Sequence, residues 1–133
     1  AQILSLMNKL KQDLGSSVLL ITHDLGVIAE MAQSVAVMYA GRIVEYADVV
    51  ELFTHPKHPY TLGLMASIPK MDVTEAKEEV LPTIPGVVPS LISLPKGCAF
   101  RDRCSQAADL CGTKEPPLVD VGWNHLVRCW PHG

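Results

Sequence analysis

The stretch Val18-Leu19-Leu20-Ile21-Thr22-His23-Asp24 is an uninterrupted apolar run that ends abruptly in three polar side chains. Its shortness and its branched residues predict a strand over residues 17–22, covered on both faces as in the middle of a parallel α/β sheet. Open α/β sheets bind ligands at the carboxyl ends of such strands. His23 is therefore a candidate functional residue, and Asp24 can cap the helix that follows. The alternative interpretation is that His23 is only the polar residue that ends a strand.

Length and composition exclude several classes of protein. A chain of 133 residues buries one ordinary core, or one small core with a loop-rich appendage. Eleven basic and fourteen acidic side chains give a net charge of -3, and without a basic run this disfavours nucleic-acid binding. The apolar runs are shorter than the roughly 18 residues of a membrane span, and no signal-peptide pattern is visible. Because the chain starts without Met, as though inside a helix, we expect a fragment of a longer protein.

The distribution of proline and cysteine predicts two regions. All ten prolines and all four cysteines lie after residue 55. Regular secondary structure therefore belongs to the first part, and the second part is irregular. We predict an α/β region over residues 1–69 and a cysteine-containing tail over residues 70–133.

Hydrophobic periodicity and turn residues predict the individual elements. Gly15 ends an amphipathic first helix, Ala40-Gly41 forms the turn of an antiparallel edge hairpin, and Pro59 and Pro69 delimit the last helix. The prolines of the extended segment that follows prevent pairing as a central strand, so it forms a surface strap. The predicted helices are residues 2–14, 25–33, 48–53 and 60–67, and the predicted hairpin strands are residues 34–39 and 42–46. Residues 71–80 are predicted to be a linker or a loose helix, and the surface strap is residues 81–91.

Four cysteines lie in a tail too poor in apolar periodicity to fold alone, so a covalent or metal staple is expected. Five, six and seventeen residues separate Cys98, Cys104, Cys111 and Cys129 in turn. Disulfides are disfavoured, because no export signal is visible and an α/β protein of this kind is expected in the cytosol. Zinc and an iron-sulfur cluster both stay open, since paired zinc knuckles are absent but separated thiolates suit a bulky cluster. Unliganded cysteines are the remaining alternative.

Histidines offer two further metal hypotheses. His125 and His132 leave a mixed Cys/His zinc site open. His55 and His58 are three residues apart, but prolines flank both and no third ligand is near in sequence, which disfavours a metal there.

A series of short motifs resembles one family along essentially the whole chain. The chain is similar to the C-terminal part of the ATP-binding subunit of oligopeptide/dipeptide ABC transporters. Each motif is weak alone, and their order makes the resemblance specific. The motifs are Thr22-His23-Asp24-Leu25, Val37-Met38-Tyr39-Ala40-Gly41-Arg42-Ile43-Val44-Glu45, His58-Pro59-Tyr60-Thr61, Ser67-Ile68-Pro69, Ile84-Pro85-Gly86-Val87-Val88-Pro89-Ser90-Leu91, Gly97-Cys98-Ala99-Phe100-Arg101-Asp102-Arg103-Cys104, Cys111, Pro116-Pro117-Leu118 and His125-Leu126-Val127-Arg128-Cys129.

The resemblance implies a fold and a set of sites. Residues 1–69 would be the C-terminal portion of a P-loop NTPase (ABC ATPase) sheet with its antiparallel edge hairpin, followed by the transporter family's four-Cys extension. His23 would be the switch histidine, hydrogen-bonded to the γ-phosphate of ATP between two ATPase subunits. Cys98, Cys104, Cys111 and Cys129 would hold a 4Fe-4S cluster, with zinc as the alternative, as a structural staple.

The resemblance also implies cofactors, partners and location for the full-length subunit. ATP and Mg would be used together with a second ATPase subunit and transmembrane permease subunits, and a peptide-binding protein would act indirectly. The subunit would be peripheral, at the cytoplasmic face of the membrane, and would couple ATP hydrolysis to peptide import.

The sequence also departs from a complete ATPase. It contains no G-x-x-x-x-G-K-[ST] phosphate loop, no signature loop and no acidic pair to hold magnesium. We therefore expect these 133 residues to be inactive on their own. The alternative is a stand-alone iron-sulfur or zinc-binding structural or regulatory module.

Overall fold

The computed structural model describes residues 2–68 and 82–132 of the chain. The helices of these ranges are α1 (Gln2–Leu14), α2 (Leu25–Met31), α3 (Val49–Thr54) and α4 (Pro59–Ala66). The strands are β1 (Ser34–Tyr39), β2 (Arg42–Asp48), β3 (Val119–Asp120) and β4 (Leu126–Val127), and the tail adds 3₁₀ turns at Arg101–Arg103, Asp109–Gly112 and Trp130–His132. The predicted linker 71–80 and Pro69 lie outside the described residues.

The four strands form one antiparallel sheet in the order β1-β2-β4-β3. The predicted hairpin is confirmed, and Ala40 and Gly41 both have positive φ (47° and 75°), as a tight two-residue turn requires. The tail supplies β3 and β4, so part of the region predicted to be irregular continues the sheet of the first region. An α/β fold is thus confirmed, but the sheet seen here is antiparallel.

Helix starts follow the predicted capping residues. Asp24 accepts hydrogen bonds from the backbone N–H of Gly26 and Val27, and Asp48 accepts one from Val50. At α4, the Nδ1 atom of His58 accepts the N–H of Tyr60, and proline occupies the first helical turn. Predicted helix boundaries are correct to within one or two residues, the largest difference being the earlier end of α2.

The prediction of a buried strand over residues 17–22 is wrong for this structure. These residues form no strand, and the side chains of Leu19 and Ile21 are 89% and 90% exposed. A parallel strand needs neighbouring backbones to satisfy its N–H and C=O groups, and in the described ranges the only partner of β1 is β2. The apolar residues of α1 are likewise exposed or half-buried, and this helix contributes no buried residue.

Two apolar clusters lie on the inner face of the hairpin. The first contains Val35, Ala47 and Leu52 and joins β1 and β2 to α3. The second contains Tyr39, Val44 and Phe100, and the Tyr39 and Phe100 rings meet edge to face at 5.1 Å. Because Phe100 belongs to the tail, the second cluster packs the tail against the hairpin.

A β-bulge in β2 brings two consecutive side chains to the inner face. Val37 of β1 pairs with Glu45, whereas Met38 pairs with Ile43, so Val44 is the extra residue. Val44 and Glu45 are both buried, although neighbours in a regular strand point to opposite faces. Met38 and Ile43 lie together on the exposed face.

In the described ranges of the chain, no helix is both long and apolar enough to cross a bilayer.

Substituting Leu52 with Ala should lower the free energy of unfolding by about 2–5 kcal/mol, because this side chain is fully buried and its removal leaves a cavity. The matched control is Val50→Ala on the same helix, where the side chain is 67% exposed and the change should be within about 0.5 kcal/mol apart from helix propensity. Urea denaturation of both variants measures the difference. Equal losses would contradict the placement of α3 on the hairpin.

Candidate functional site

The turn around His23 is held on both sides by hydrogen bonds. The backbone N–H of Asp24 donates to the Oγ1 atom of Thr22 at 3.0 Å. The Oδ1 atom of Asp24 accepts the N–H groups of Gly26 and Val27 at 2.9 and 3.1 Å. His23 itself is exposed. Its imidazole is therefore carried by a fixed stretch of backbone and is open to a ligand from solvent, as a hydrogen-bond donor or acceptor.

The four cysteines line one cavity. Cys98, Cys104, Cys111 and Cys129 share its wall with residues that include His58, Phe100 and Trp130. No disulfide joins any of them. A backbone hydrogen bond joins two of the cysteines, because the N–H of Cys98 donates to the carbonyl oxygen of Cys111 at 2.8 Å.

Gly97 is required for this contact. A Cβ atom at residue 97 would lie 2.3 Å from the carbonyl oxygen of Cys111, and the φ of Gly97 is +80°. Any other residue type would force the two cysteine segments apart.

The environment of Cys98, Cys104 and Cys129 favours protonated thiols. Burial raises the pKa of Cys98 and of Cys104, and the neighbouring cysteines add to the effect. Burial, together with the other three cysteines, raises the pKa of Cys129 to about 12. A metal bound here would therefore have to displace protons from the sulfur atoms.

The described part of the chain contains no group of side chains arranged to bind a single metal ion. In residues 2–68 and 82–132, no three His, Cys, Asp or Glu side chains are placed to hold one metal ion. The predicted ligand set is thus brought to one cavity, but not to the spacing of a mononuclear zinc site. This disfavours the mixed Cys/His zinc site as well, and the side chain of His132 lies outside the described residues.

The other histidines have structural partners. The Nδ1 atom of His55 lies 3.2 Å from a carboxylate oxygen of Glu51, and His58 caps α4. The two side chains thus contact different groups, one on α3 and one at the start of α4.

Sequence reasoning missed a buried polar cluster, which we call the Glu45 cluster and which consists of Glu45, Glu51 and His125. The carboxylate of Glu45 is fully buried and accepts the N–H groups of Lys57 and His58 at 2.7 and 3.0 Å. Its Oε1 atom also lies 2.7 Å from the Nε2 atom of His125. The bulge hides this from sequence analysis, because regular alternation does not bury both Val44 and Glu45.

Glu51 completes the cluster at the protein surface. Its Oε1 atom lies 3.3 Å from the Nδ1 atom of His125, whose side chain is 1% exposed. Partial desolvation of Glu51 opposes its ionisation, but hydrogen bonds and charge interactions with His125 and His55 hold the pKa of its carboxyl below the ordinary 4.5.

Comparison with known proteins places the chain in a family. Residues 44–111, more than half of the chain, match the family described as the oligopeptide/dipeptide transporter C-terminal region. The chain belongs to this family. The matched range starts at Val44 and ends at Cys111, so it contains the Glu45 cluster except His125 and three of the four cysteines.

Relatives of this transporter family match nearly the whole chain. A putative peptide import ATP-binding protein of Brucella ovis is 54% identical over 132 residues, covering 97% of this chain and 39% of its own length. The oligopeptide transport ATP-binding protein OppD of Haemophilus influenzae is 46% identical over 130 residues (98% and 39%), and OppD of Escherichia coli is 42% identical over 130 residues (98% and 37%). The resemblance found in the sequence is confirmed. The chain spans about two fifths of the length of these relatives.

The lowered pKa of Glu51 predicts a loss of stability in acid for this transporter-family chain. The unfolded state binds the proton at higher pH than the folded state, so the stabilisation is present above the ordinary pKa of 4.5 and disappears as pH falls through the lowered folded-state value. Urea denaturation of the wild-type and Glu51→Gln chains between about pH 2 and pH 6 measures this. The difference in unfolding free energy should shrink toward zero in acid.

The control for that measurement is Glu30→Gln, which removes an exposed carboxylate on α2. Its effect should be small at every pH. A Glu51→Gln effect that is independent of pH would contradict the ion pairing of Glu51.

Proposed function

We propose that this chain is part of an ATPase subunit that couples ATP binding and hydrolysis to peptide import across the cytoplasmic membrane, and that His23 is its switch histidine. The observation that carries the proposal is the exposed imidazole of His23 between two hydrogen-bonded neighbours, Thr22 and Asp24, in a chain of the peptide-transporter family. The names of the relatives, which are peptide import and oligopeptide transport ATP-binding proteins, support it.

His23 would act on the γ-phosphate of ATP. Charge on a transferring phosphoryl group is stabilised most by donors that are in position before the reaction, because no reorganisation is then needed. The capped turn keeps the backbone of His23 in place, and solvent exposure leaves its ring free to reach a nucleotide held between this subunit and a second ATPase subunit. Mg²⁺ and the phosphate-binding loop would be held by residues outside these 133.

The exposed apolar surfaces of the first region fit this role. The run Val18–Ile21 and the apolar residues of α1 expose large hydrophobic side chains that water disfavours. In the subunit we propose, they pack against the rest of the nucleotide-binding domain, and residues 17–22 then gain the parallel neighbours that the sequence predicts. The 133 residues alone would be inactive, and the subunit would be peripheral, docked on permease subunits at the cytoplasmic face.

Replacing His23 with Ala should lower the ATPase kcat about a hundredfold, because a preorganised donor to the γ-phosphate is lost. The measurement uses a full-length subunit in which this segment follows an N-terminal part with a phosphate loop. The control is His55→Ala, a second exposed histidine, which pairs with Glu51 and should keep the wild-type kcat. Wild-type turnover by His23→Ala would refute the role of His23.

A second proposal concerns the cysteine cavity. Four sulfur donors from four tail positions line one cavity, and separated thiolates suit the bulky 4Fe-4S group that the family resemblance implies. When bound, the group would supply a cross-link among four tail segments. The chain's own contribution is to bring the thiols together through Gly97 and the backbone bond between Cys98 and Cys111.

Protein purified anaerobically should contain iron and acid-labile sulfide, and Cys104→Ser should lose most of both, since one of four thiolate ligands is removed. The control is Ser105→Ala, one residue further on. Zinc without iron would establish the zinc alternative, and neither metal would contradict a metal centre. A reversible one-electron couple would favour the stand-alone carrier over a structural staple.

A further inference from the structure

A buried imidazole joins the tail to the first region of the chain. His125 comes from the tail, next to β4, and Glu45 and Glu51 come from β2 and α3. Its Nε2 atom lies 2.7 Å from the Oε1 atom of Glu45, and its Nδ1 atom lies 3.3 Å from the Oε1 atom of Glu51. Each nitrogen of the ring therefore contacts a carboxylate oxygen of a different element.

The contacts of the ring indicate its charge. Glu45 also accepts two backbone N–H groups, from Lys57 on Oε1 and from His58 on Oε2, so both of its oxygens already act as hydrogen-bond acceptors. An ionised carboxylate only accepts hydrogen bonds, so a ring nitrogen that contacts one must carry a proton. Each ring nitrogen of His125 lies beside a carboxylate oxygen, which is the contact pattern of a ring that donates from both nitrogens.

We propose that His125 is a buried imidazolium that clasps the cysteine-bearing tail onto β2 and α3, and that docking of the tail therefore depends on its protonation. Loss of one ring proton would turn a nitrogen lone pair toward a carboxylate oxygen and remove the only positive charge between two negative ones. A buried carboxylate left without its charged partner is costly, so the tail would loosen as pH rises.

Other titratable groups on the packed elements already have partners. His55 lies beside Glu51 on α3, and the Nδ1 atom of His58 accepts the N–H of Tyr60. The carboxylate of Asp48, at the end of β2, accepts the N–H of Val50, and that of Asp120 in β3 accepts the N–H of Gly122. At acid pH, protonation of Glu51 removes the negative charge beside the Nδ1 atom of His125. Both ion pairs of His125 are therefore complete only above the pH at which Glu51 takes up its proton and below the pH at which His125 loses one.

The tail has amides that report on docking. The N–H of Arg128 donates to the carbonyl oxygen of Val44 at 2.8 Å and so bridges the tail to the bulge of β2. The N–H of Val121 donates to the carbonyl oxygen of His125 at 2.9 Å and closes the loop that carries the imidazole. The amides of β1, which pair only within the hairpin, serve as the internal reference.

The first measurement is the ¹⁵N NMR spectrum of the His125 ring in the wild-type 133-residue chain. It is recorded at about pH 7, where an ordinary exposed histidine is mostly neutral. We expect both ring nitrogens to have the chemical shifts of protonated nitrogen. One protonated and one unprotonated nitrogen would overturn the proposal. This test needs no substitution, so a folding defect cannot obscure it.

The second measurement is hydrogen exchange of the Arg128 amide, corrected for the intrinsic pH dependence of exchange. In Glu51→Gln, at neutral pH, this amide should exchange about tenfold faster than in the matched Glu30→Gln variant, while β1 amides stay unchanged. In the wild type, protection of Arg128 should fall as pH rises, and in His125→Gln it should be low and independent of pH. Protection that is equal in Glu51→Gln and Glu30→Gln, or wild-type protection that is flat with pH, would overturn the proposal.

Discussion

The carboxylate of Glu45 fixes the relative positions of the hairpin, the loop before α4 and the tail. It is fully buried, and it accepts hydrogen bonds from the loop before α4 and from the tail while belonging to β2. Burial of a lone carboxylate is strongly unfavourable, and three donors offset that cost only if all three segments are in place. A single polar group, together with apolar packing, therefore holds the hairpin, the helix α4 and the tail in one arrangement.

The second apolar cluster also holds the tail on the hairpin. Phe100 of the tail sits against Tyr39 and Val44 of the hairpin, on the same inner face as Glu45. The hydrogen bonds of the Glu45 cluster depend on direction and distance. The apolar cluster stabilises the same contact by burial, which does not depend on direction. Together they explain how a tail with two-residue strands and single-turn helices keeps a defined position.

Local features of the first region were predictable, because they depend on short-range chemistry. The Ala40-Gly41 turn, the Asp24 and Asp48 caps and the start of α4 at Pro59 all follow from residue types within a few positions. The strand at residues 17–22 was not realised, since strand formation depends on neighbours that the apolar pattern cannot reveal. Of the candidate site, the sequence identified His23 and the cysteines. It singled out His125 only as a candidate zinc ligand and missed the cluster that His125 forms with Glu45 and Glu51, because these residues lie up to 80 positions apart and meet only through the fold.

The two candidate centres occupy opposite kinds of environment. His23 is exposed on a turn that is fixed by its neighbours, whereas the cysteines are buried or half-buried around one cavity next to His58 and Phe100. An exposed, preset side chain suits a ligand that arrives and leaves, and sulfur atoms that are partly withdrawn from solvent suit a group that stays. The differing surroundings are consistent with a turnover role for the first region and a scaffolding role for the tail.

The bulge at Val44 makes the length of the hairpin as important as its composition. Between the Ala40-Gly41 turn and Glu45, the strand carries one residue more than its partner, and that extra residue, Val44, lies on the inner face beside Glu45. A strand shortened by Val44 would keep Glu45 opposite Val37 on the inner face. It would lose the apolar side chain that packs against Tyr39 and Phe100, and the carbonyl oxygen that accepts the N–H of Arg128 from the tail.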